Sequence, residues 1–492
     1  MTLQRALVEW QRSLGAEHVV LDVEPEYASA TFPVVHSILA VLYPADADQV
    51  REVVKIAGAH GVPLYPISRG KNWGYGSRVP AADGCVVVSL ERLDRILDFD
   101  APLAYITVEP GVTFAQVNTF LKAQGADLII NSPGSTPDAS LIGNALERGI
   151  ASGLDAERCA SVCGLEVILP DARRLHTGFG RFAGAQAAPA AGYGVGAALD
   201  GLFFQSNLGI VTQMTFWLTP APGFYQHFTF TLTEHTALDE LIPRLQAVKR
   251  ENLVQSSVGL YNAFKLLTYL RQHPNPPHLI TLSELPNDYQ ALLGGGVWFG
   301  EGMITAPDAA IGALTRRRLR EQFEGKVEQL RFREGSAFID GAASLKSIYW
   351  RKPTPMPDAP DPDRDGCGLI WCCPVAPFRA ANIRQCLAIL EETLPAHGFE
   401  PIIGIQCVTM RAVYIIASIV YDRHQPGHDQ AALDCYHALH TRLARAGFFP
   451  YRLPILAPLP PAQDDTDSVL RDLKAAVDPA GILAPKRYEP SV

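Results

Sequence analysis

The sequence predicts an α+β fold that contains α/β layers and is built as two domains. Three observations lead to this prediction. The chain has 492 residues, which is too long for one simple hydrophobic core. Up to about residue 220, β-rich runs alternate with amphipathic helices, a pattern typical of an α/β domain. A Pro/Gly segment at 219–223 then follows an apolar strand at 213–218 and marks a domain boundary.

The first clear unit lies between residues 37 and 67. An apolar run at 37–43 precedes Asp46 and Gln49, whose spacing is that of a capping box. The helix that they begin carries four apolar residues on one face, namely Val50, Val53, Val54 and Ala57. The run at 62–67 then predicts a second strand, so the unit is strand, helix, strand.

The remaining elements follow the same logic. Strands are expected at 85–90 and 104–109, and Thr113 is placed to cap a following helix. Residues 165–177 have the pattern of a hairpin. Mixed helices and strands continue to about residue 455, and a last helix is expected at 464–477.

Composition and charge exclude several function classes. The net charge is −9, whereas nucleic-acid binding needs a clustered basic surface, so no nucleic-acid partner is expected. No run of about eighteen apolar residues predicts a membrane span. The nine cysteines lack the spacing of a zinc site or of a disulfide framework. We therefore expect no metal and a reduced, cytoplasmic protein.

The segment 68–77 is the most informative local motif. It follows a predicted strand and contains three glycines that permit positive φ, so its backbone N–H groups are able to form a nest for a pyrophosphate. The spacing is neither GxGxxG nor a Walker motif, and a tight structural turn is an equal alternative. The candidate cofactor-binding residues of this segment are Ser68, Arg69, Gly70, Lys71, Asn72, Trp73 and Gly74.

Two further clusters supply small residues where a backbone can approach a ligand closely. One lies between residues 132 and 149 and the other between 205 and 212. Their candidate cofactor-binding residues are Pro133, Gly134, Ser135, Gly143, Asn144, Gly149, Gly209 and Ile210. Each cluster also has an ordinary structural explanation as a turn.

Taken in this order, the clusters resemble the FAD-binding domain of the vanillyl-alcohol oxidase and p-cresol methylhydroxylase family. The blocks that carry the resemblance are GKNWGYGS, VEPGVTFAQV, GNALERG, CGLEVILPD, QSNLGI and VDPAGILAP. The resemblance implies an FAD-binding domain in two segments, 1–222 and 456–492, with an inserted α+β cap domain at 223–455. It also implies a homodimer.

The resemblance further implies a chemistry and a set of catalytic residues. Family members bind a para-substituted phenol as phenolate and transfer a hydride from its benzylic carbon to flavin N5, which leaves a p-quinone methide. Tyr75, Tyr451, Arg452 and Arg487 match phenolate-binding positions, and Arg452 is also a candidate for binding the cofactor. The implied partners are a small aromatic substrate and, as electron acceptor, oxygen or a redox protein.

Glu157 matches an acidic residue that lies near flavin N5 in the family, and Asp155 is a competing candidate. Two other function classes stay open. The same scaffold serves oxidases and oxidative cyclases of non-phenolic alcohols, sugars or specialised metabolites. A non-catalytic flavin-binding subunit is the other alternative.

The flavin attachment departs from the family pattern. Many members bond the flavin to a His or Tyr that precedes a short aromatic strand, which is expected here at 369–375. No His or Tyr lies between Trp350 and His397. Three cysteines are chemically able to form a thioether, namely Cys367, Cys372 and Cys373. Because cysteine in an apolar strand is more often a core residue, we expect FAD to be bound non-covalently.

Non-covalent attachment is open to a direct test. Acid precipitation of the purified protein should leave the yellow flavin in the supernatant, since no bond would retain it in the pellet. A yellow pellet would contradict this expectation, and mass spectrometry of the peptide that spans 367–373 would then locate the bond.

Overall fold

The computed structural model describes residues 2–131, 133–151, 153–154, 156–334 and 343–490. It divides into two compact units. Unit 1 consists of Met1–Ile150, Glu157–Pro220 and Arg452–Val492, and unit 2 of Ala151–Ala156 and Ala221–Tyr451. The chain thus enters unit 2 at residue 221 and leaves it after 451, where the sequence placed these points at 223 and 455. The sequence pattern does not predict that the short segment Ala151–Ala156 belongs to unit 2.

The first sheet of unit 1 contains β1 (Val19–Val20), β2 (Ile38–Leu42), β3 (Leu64–Ile67) and β4 (Cys85–Ser89), in the order β1-β2-β4-β3. Strands β2, β4 and β3 are parallel. Helices α1 (Thr2–Leu14) and α2 (Ala47–His60) belong to the same unit as this sheet. The predicted cap of α2 is confirmed, because the Asp46 carboxylate accepts a hydrogen bond from the Gln49 backbone N–H at 2.8 Å.

The second sheet of unit 1 is antiparallel and has the order β5-β6-β10-β8-β9. Its strands are β5 (Ile96–Asp100), β6 (Tyr105–Val108), β8 (Val162–Ile168), β9 (Arg174–His176) and β10 (Ile210–Trp217), and a separate pair joins β7 (Leu128–Ile129) to β11 (Thr219–Pro220). The hairpin expected at 165–177 is confirmed as β8 and β9. Helices α3 (Phe114–Ala123) and α4 (Leu141–Leu146) belong to the same unit, and Thr113 caps α3 in a complete capping box.

The C-terminal segment pairs with β3, the edge strand of the first sheet of unit 1. After α12 (Thr466–Val477), the chain runs parallel to β3, with the Leu64 N–H donating to the Ile482 carbonyl and the Ala484 N–H donating to the Leu64 carbonyl, both at 2.7 Å. The carboxylate of Asp478 accepts from the N–H groups of Ile482 and Leu483 at 3.0 and 2.9 Å. These bonds set the position of the last residues, including Arg487.

Unit 2 is built on an eight-stranded sheet with the order β15-β12-β14-β13-β18-β19-β16, and β17 also pairs with β19. The strands are β12 (Phe224–Leu232), β13 (Val258–Asn262), β14 (Trp298–Ala306), β15 (Glu328–Arg333), β16 (Cys367–Cys372), β17 (Val375–Pro377), β18 (Ile402–Cys407) and β19 (Ala412–Asp422). The helices are α5 (Leu238–Arg250), α6 (Ala263–Leu270), α7 (Asn287–Leu293), α8 (Ala309–Phe323), α9 (Ala343–Ile348), α10 (Ala380–Ala396) and α11 (His428–Arg445).

One expected strand of unit 2 is wrong as a single element. The run 369–375 is divided, because β16 ends at Cys372 and β17 begins at Val375. Pro374 lies at the break and has no N–H to donate to a ladder. Within the ranges that the structure describes, no helix combines the length and apolar character needed to span a membrane.

The attachment of the C-terminal segment yields a stability prediction. Asp478→Ala should lower the free energy of unfolding of unit 1 by about 2–4 kcal/mol, because it removes the acceptor of two backbone N–H groups and the ion pair with Lys474 at 2.8 Å. Urea denaturation followed by tryptophan fluorescence measures the change. Asp472→Ala, on the exposed side of α12, is the control and should change stability by less than about 0.5 kcal/mol. Equal midpoints for the two variants would contradict the role of Asp478.

Candidate active site

The loop after β3 has the backbone geometry that the sequence motif predicted. Gly70, Gly74 and Gly76 have φ values of 64°, 79° and 133°. A Cβ atom on Gly70 would lie 2.3 Å from Cγ of Arg78, so only glycine fits this position. The loop is secured where the Gly74 N–H donates to Oγ1 of Thr31 at 2.9 Å.

The second glycine cluster lies against this loop. A Cβ atom on Gly143 would be 3.1 Å from Oγ of Ser68, so α4 and the loop approach each other closely. Ser140 caps α4, with its hydroxyl accepting from the Gly143 N–H at 2.9 Å. The third cluster joins the same region, because the Gln205 N–H donates to the Leu146 carbonyl at 2.8 Å. The three clusters, distant in sequence, are therefore neighbours in unit 1.

Glu147, directly after α4, connects these loops to the C-terminal segment. Its carboxylate accepts from Nη2 of Arg487 at 2.9 and 2.8 Å, and from Nε of Arg452 at 3.1 Å. The hydroxyl of Tyr488 donates to the same carboxylate at 2.8 Å. Arg487 also donates to the Leu453 carbonyl at 3.0 Å. We call these four side chains, Glu147, Arg452, Arg487 and Tyr488, the Glu147 cluster.

The electrostatics of the Glu147 cluster favour its ionised form. Burial opposes ionisation of Glu147, but the charges of Arg487 and Arg452 outweigh it and lower the pKa to about 2. Burial also acts against the charge of Arg487, yet the Glu147 carboxylate raises the pKa of that guanidinium. At neutral pH the cluster holds two guanidinium charges and one carboxylate, so it is positive overall.

Arg452 also links the Glu147 cluster to the glycine loop. Its guanidinium carbon lies 4.1 Å from the ring centroid of Tyr75, and one of its N–H groups donates to the side-chain carbonyl of Asn72. The Ile455 N–H donates to the Tyr75 carbonyl at 2.9 Å. Tyr75, Arg452 and Arg487, which the sequence selected as catalytic candidates, are thus together in unit 1.

The contacts given for Tyr451 and Glu157 lie outside the Glu147 cluster. Tyr451 is the last residue of unit 2, where its ring lies edge-on to Tyr414 at a centroid distance of 5.2 Å. Glu157 begins a short 3-10 turn in unit 1, and its backbone pairs with Ile150. Asp155 lies outside the described residues. The catalytic roles of Tyr451 and Glu157 stay predictions.

The other cofactor candidates lie at several places in unit 1. Asn144 lies in α4, Gly149 packs against its side chain, and Gly209 packs against Val167, all in the region of the three clusters. Arg69 and Lys71 are partly buried in the glycine loop, with Nζ of Lys71 5.6 Å from the Trp73 ring centroid. Three candidates lie in the loop before Ser140, namely Pro133, Gly134 and Ser135, and Gly134 is exposed. Ile210 opens β10 with its side chain buried in the core.

The cysteines of the aromatic strand have the character of core residues. Cys367, Cys372 and Cys373 are 0%, 4% and 1% exposed. Burial raises the pKa of the Cys367 and Cys372 thiols, which disfavours the thiolate needed to attack a flavin. Among the described residues, no group of three His, Cys, Asp or Glu side chains is arranged to hold a metal ion.

Sequence reasoning missed Glu147 and Tyr488. Glu147 stands inside the block GNALERG, from which only the small residues were selected, and Tyr488 follows Arg487 directly. The available signal was a lone acidic residue among small and apolar neighbours, next to a glycine cluster. Its partners are 305 and 340 positions away in sequence, so no local pattern identifies them.

Comparison with known proteins decides the family. A family model described as an FAD binding domain matches residues 38–178. The chain is 40% identical to 1'-carboxy-chondrochloren decarboxylase of Chondromyces crocatus, over 99% of this chain and 97% of that protein. It is 26% identical to the 4-cresol dehydrogenase [hydroxylating] flavoprotein subunit of Pseudomonas putida, over 98% and 95% of the two chains. The chain belongs to the p-cresol methylhydroxylase-type flavoproteins.

The structural comparison confirms the fold class. A crystal structure of p-cresol methylhydroxylase with substrate bound superposes with a TM-score of 0.90 at 23% identity, over 100% of this chain and 97% of that one. As a member of the family shown by the sequence comparisons, the chain is an FAD-dependent oxidoreductase of this type, with FAD as its cofactor. The close approach of three glycine-bearing loops, at positions where a Cβ atom would clash, fits such a cofactor.

The Glu147 cluster predicts a stability change that depends on pH. Glu147→Gln keeps the side-chain size but leaves two buried guanidinium groups without a carboxylate, and should cost about 3–5 kcal/mol at neutral pH. Because folding lowers the pKa of Glu147 to about 2, its contribution is fully present above the unfolded value of about 4.3. The difference between wild type and variant should therefore shrink as the pH falls from about 4.3 towards 2.

Denaturant midpoints measured from pH 2 to pH 8 check this prediction. Glu52→Gln is the control, since the Glu52 side chain is 42% exposed in the same unit and should change stability little at any pH. A midpoint for Glu147→Gln that equals that of the control would contradict the stabilising role of the cluster.

Proposed function

We propose that this flavoprotein oxidises a para-substituted phenol at its benzylic carbon. The observation that carries the proposal is the Glu147 cluster, in which two guanidinium groups converge on one carboxylate beside Tyr75. A phenol ionises only near pH 10 in water, so binding it as phenolate at neutral pH requires a positive electrostatic environment. The cluster supplies that charge.

The proposed cofactor contacts come from unit 1. The backbone N–H groups of the loop 68–76 and the small residues at Gly143, Gly149 and Gly209 would hold FAD. When bound, FAD supplies a two-electron acceptor for the hydride of the substrate. The buried thiols of the 367–373 region support non-covalent binding.

The proposed substrate contacts centre on the phenolic oxygen. The hydroxyl group of Tyr75 and the guanidinium of Arg452, both in unit 1, would donate hydrogen bonds to the phenolate, and charge-assisted bonds of this kind are about twice as strong as neutral ones. The family resemblance gives the Tyr451 hydroxyl the same role. Glu147 orients Arg452 through its bond to Nε, and the stack on Tyr75 fixes the guanidinium plane. Glu157 would assist the movement of a proton at the quinone methide, when water adds to it. Arg487 acts on the site through Glu147.

A second candidate function is oxidative decarboxylation, which is favoured by the 40% identity to 1'-carboxy-chondrochloren decarboxylase over nearly the whole chain. Removal of a hydride from the benzylic carbon of a phenolate leaves a p-quinone methide. A carboxylate on the next carbon is then lost as CO2. The electron pair of the broken C–C bond forms an alkene and restores the phenolate. Both candidates thus share one oxidation and differ in its outcome, which is either addition of water or loss of CO2.

An anaerobic titration of the FAD-loaded protein tests both functions. We expect 4-ethylphenol or 3-(4-hydroxyphenyl)propanoate to bleach the flavin, and product analysis to distinguish an alcohol from 4-vinylphenol with CO2. Admission of oxygen then separates an oxidase from a dehydrogenase by the rate at which the colour returns. Bleaching by sugars, 2-hydroxy acids or non-phenolic alcohols alone would overturn the proposal.

Variants connect this activity to the proposed residues. Tyr451→Phe should lower the rate of flavin reduction on the order of a hundredfold while leaving FAD affinity unchanged, because it removes one donor to the phenolate. Tyr225→Phe is the control, since Tyr225 is 48% exposed on β12 and should reduce the flavin at the wild-type rate. Equal rates for the two variants would remove Tyr451 from the mechanism.

A further inference from the structure

Lys265 is a buried lysine of unit 2 that the proposed chemistry does not use. It lies in the first turn of α6, where its backbone N–H donates to the Asn262 side chain at 2.9 Å. The residue is only 2% exposed, and its side chain points into the interior of the unit. Lysine is almost never fully buried unless it is paired.

The ammonium of Lys265 is surrounded by neutral groups. Nζ donates to Oγ of Ser347 at 3.3 Å and to Oγ of Ser418 at 3.4 Å. It lies 5.1 Å from the ring centroid of Tyr269 and 5.2 Å from that of Trp371. No carboxylate in the described part of the chain forms an ion pair with it. Since an ammonium has three donors, one remains for an acceptor that these two hydroxyls do not provide.

The lack of an ion pair with a described carboxylate has an energetic consequence for Lys265. Burial lowers the pKa of Lys265 to about 8, because an ammonium in an apolar interior loses its hydration. The titratable groups near it are Tyr269 from α6 and Cys373 after β16. Tyr261 from β13 packs edge-on against Tyr269, and its hydroxyl donates to Glu301 on β14 at 2.9 Å. Burial raises the pKa of Tyr261 and Tyr269, so both phenols are neutral near pH 8. An anionic ligand would stabilise the charged lysine.

Lys265 and Tyr451 lie on the same face of the unit 2 sheet. Ser418, which bonds Lys265, stands opposite Trp371 on β16. Tyr414 is four residues earlier on β19 and therefore points to the same face. The ring of Tyr451 packs on Tyr414. Ser418, which marks the Lys265 end, and Tyr414, which marks the Tyr451 end, are roughly 13 Å apart along β19. The side chains of Trp371 and Tyr414 are only partly buried.

We propose that Lys265 binds a carboxylate carried by the substrate, at the end of a chain para to the phenolic hydroxyl. This inference rests on the proposed function, because Tyr451 marks the phenol end of the site. The aromatic rings of Trp371 and Tyr269 line the carboxylate end, and the hydroxyls of Ser347 and Ser418 orient the ammonium. The preferred substrate is then an extended phenolic acid, larger than a cresol.

The test compares ω-(4-hydroxyphenyl)alkanoates, from propanoate to hexanoate, with their methyl esters. Esterification removes the charge and keeps the shape, so the ratio of the two dissociation constants isolates the contribution of Lys265. Anaerobic stopped-flow reduction of the flavin gives the dissociation constant and the limiting rate separately. In Lys265→Met, which keeps the length without the charge, the dissociation constant of the best acid should rise about tenfold or more, while that of its ester changes little.

Three further measurements make the result specific. Lys265→Arg should recover part of the preference for the acid. In the wild type this preference should decline above about pH 8, where free Lys265 loses its proton. Lys249→Met is the matched control, because Lys249 is a partly buried lysine of the same unit that bonds the Val254 and Ser256 carbonyls at 3.0 and 2.9 Å. It should lower stability without changing the ratio of acid to ester.

The outcomes separate this inference from the proposed function. Equal effects of Lys265→Met on acid and ester, or no effect on either, would show a purely structural lysine and overturn the inference, even if phenols reduce the flavin. Calorimetry measures the binding of the same acid and ester directly and does not depend on reduction of the flavin. If no phenol reduces the flavin, the proposed function fails, and a charge-selective loss of binding in Lys265→Met would still support the carboxylate site.

Discussion

Glu147 lies between the guanidinium groups of Arg452 and Arg487, and the arrangement of unit 1 around the candidate site depends on this ion pair. The carboxylate follows α4, whereas the two arginines belong to the segment that returns to unit 1 after unit 2. A buried pair of this kind is weak evidence for stability by itself, but removal of one partner leaves an uncompensated charge. The geometry of both arginines is therefore tied to one residue.

The same ion pairs would supply the positive charge that the proposed phenolate requires. Two guanidinium groups without a carboxylate would be costly to bury, and a balanced pair would offer no attraction to an anion. Glu147 compensates part of the charge and orients Arg452, whose other face packs on Tyr75. Asn72, at the glycine loop, accepts from Arg452 as well, so the proposed flavin-binding backbone and the proposed phenolate ligands share one hydrogen-bonded network.

Unit 2 contributes a different kind of constraint. Its sheet places Tyr414, Ser418 and Trp371 on one face, with Tyr451 near one end of it and Lys265 near the other. Lys265 is held by neutral hydroxyls and aromatic rings, an environment that tolerates an ammonium but does not neutralise it. The Glu147 cluster combines three ionised groups, whereas no carboxylate among the described residues forms an ion pair with Lys265.

The sequence by itself determined the features that are encoded locally. The caps of α2 and α3, the hairpin of β8 and β9, and the glycine loops depend on residues a few positions apart. The glycine clusters and the blocks around them indicated the family and FAD, and this resemblance then indicated Tyr75, Arg452 and Arg487. Hydrophobicity alone predicted one continuous strand at 369–375, whereas the structure divides it at Pro374. Only the tertiary structure decided which carboxylate holds the arginines, and which lysine is buried without an ion pair to any described carboxylate. Glu147 and Lys265 meet their partners across hundreds or scores of residues, and such contacts are set by the packing of whole elements rather than by any spacing in the chain.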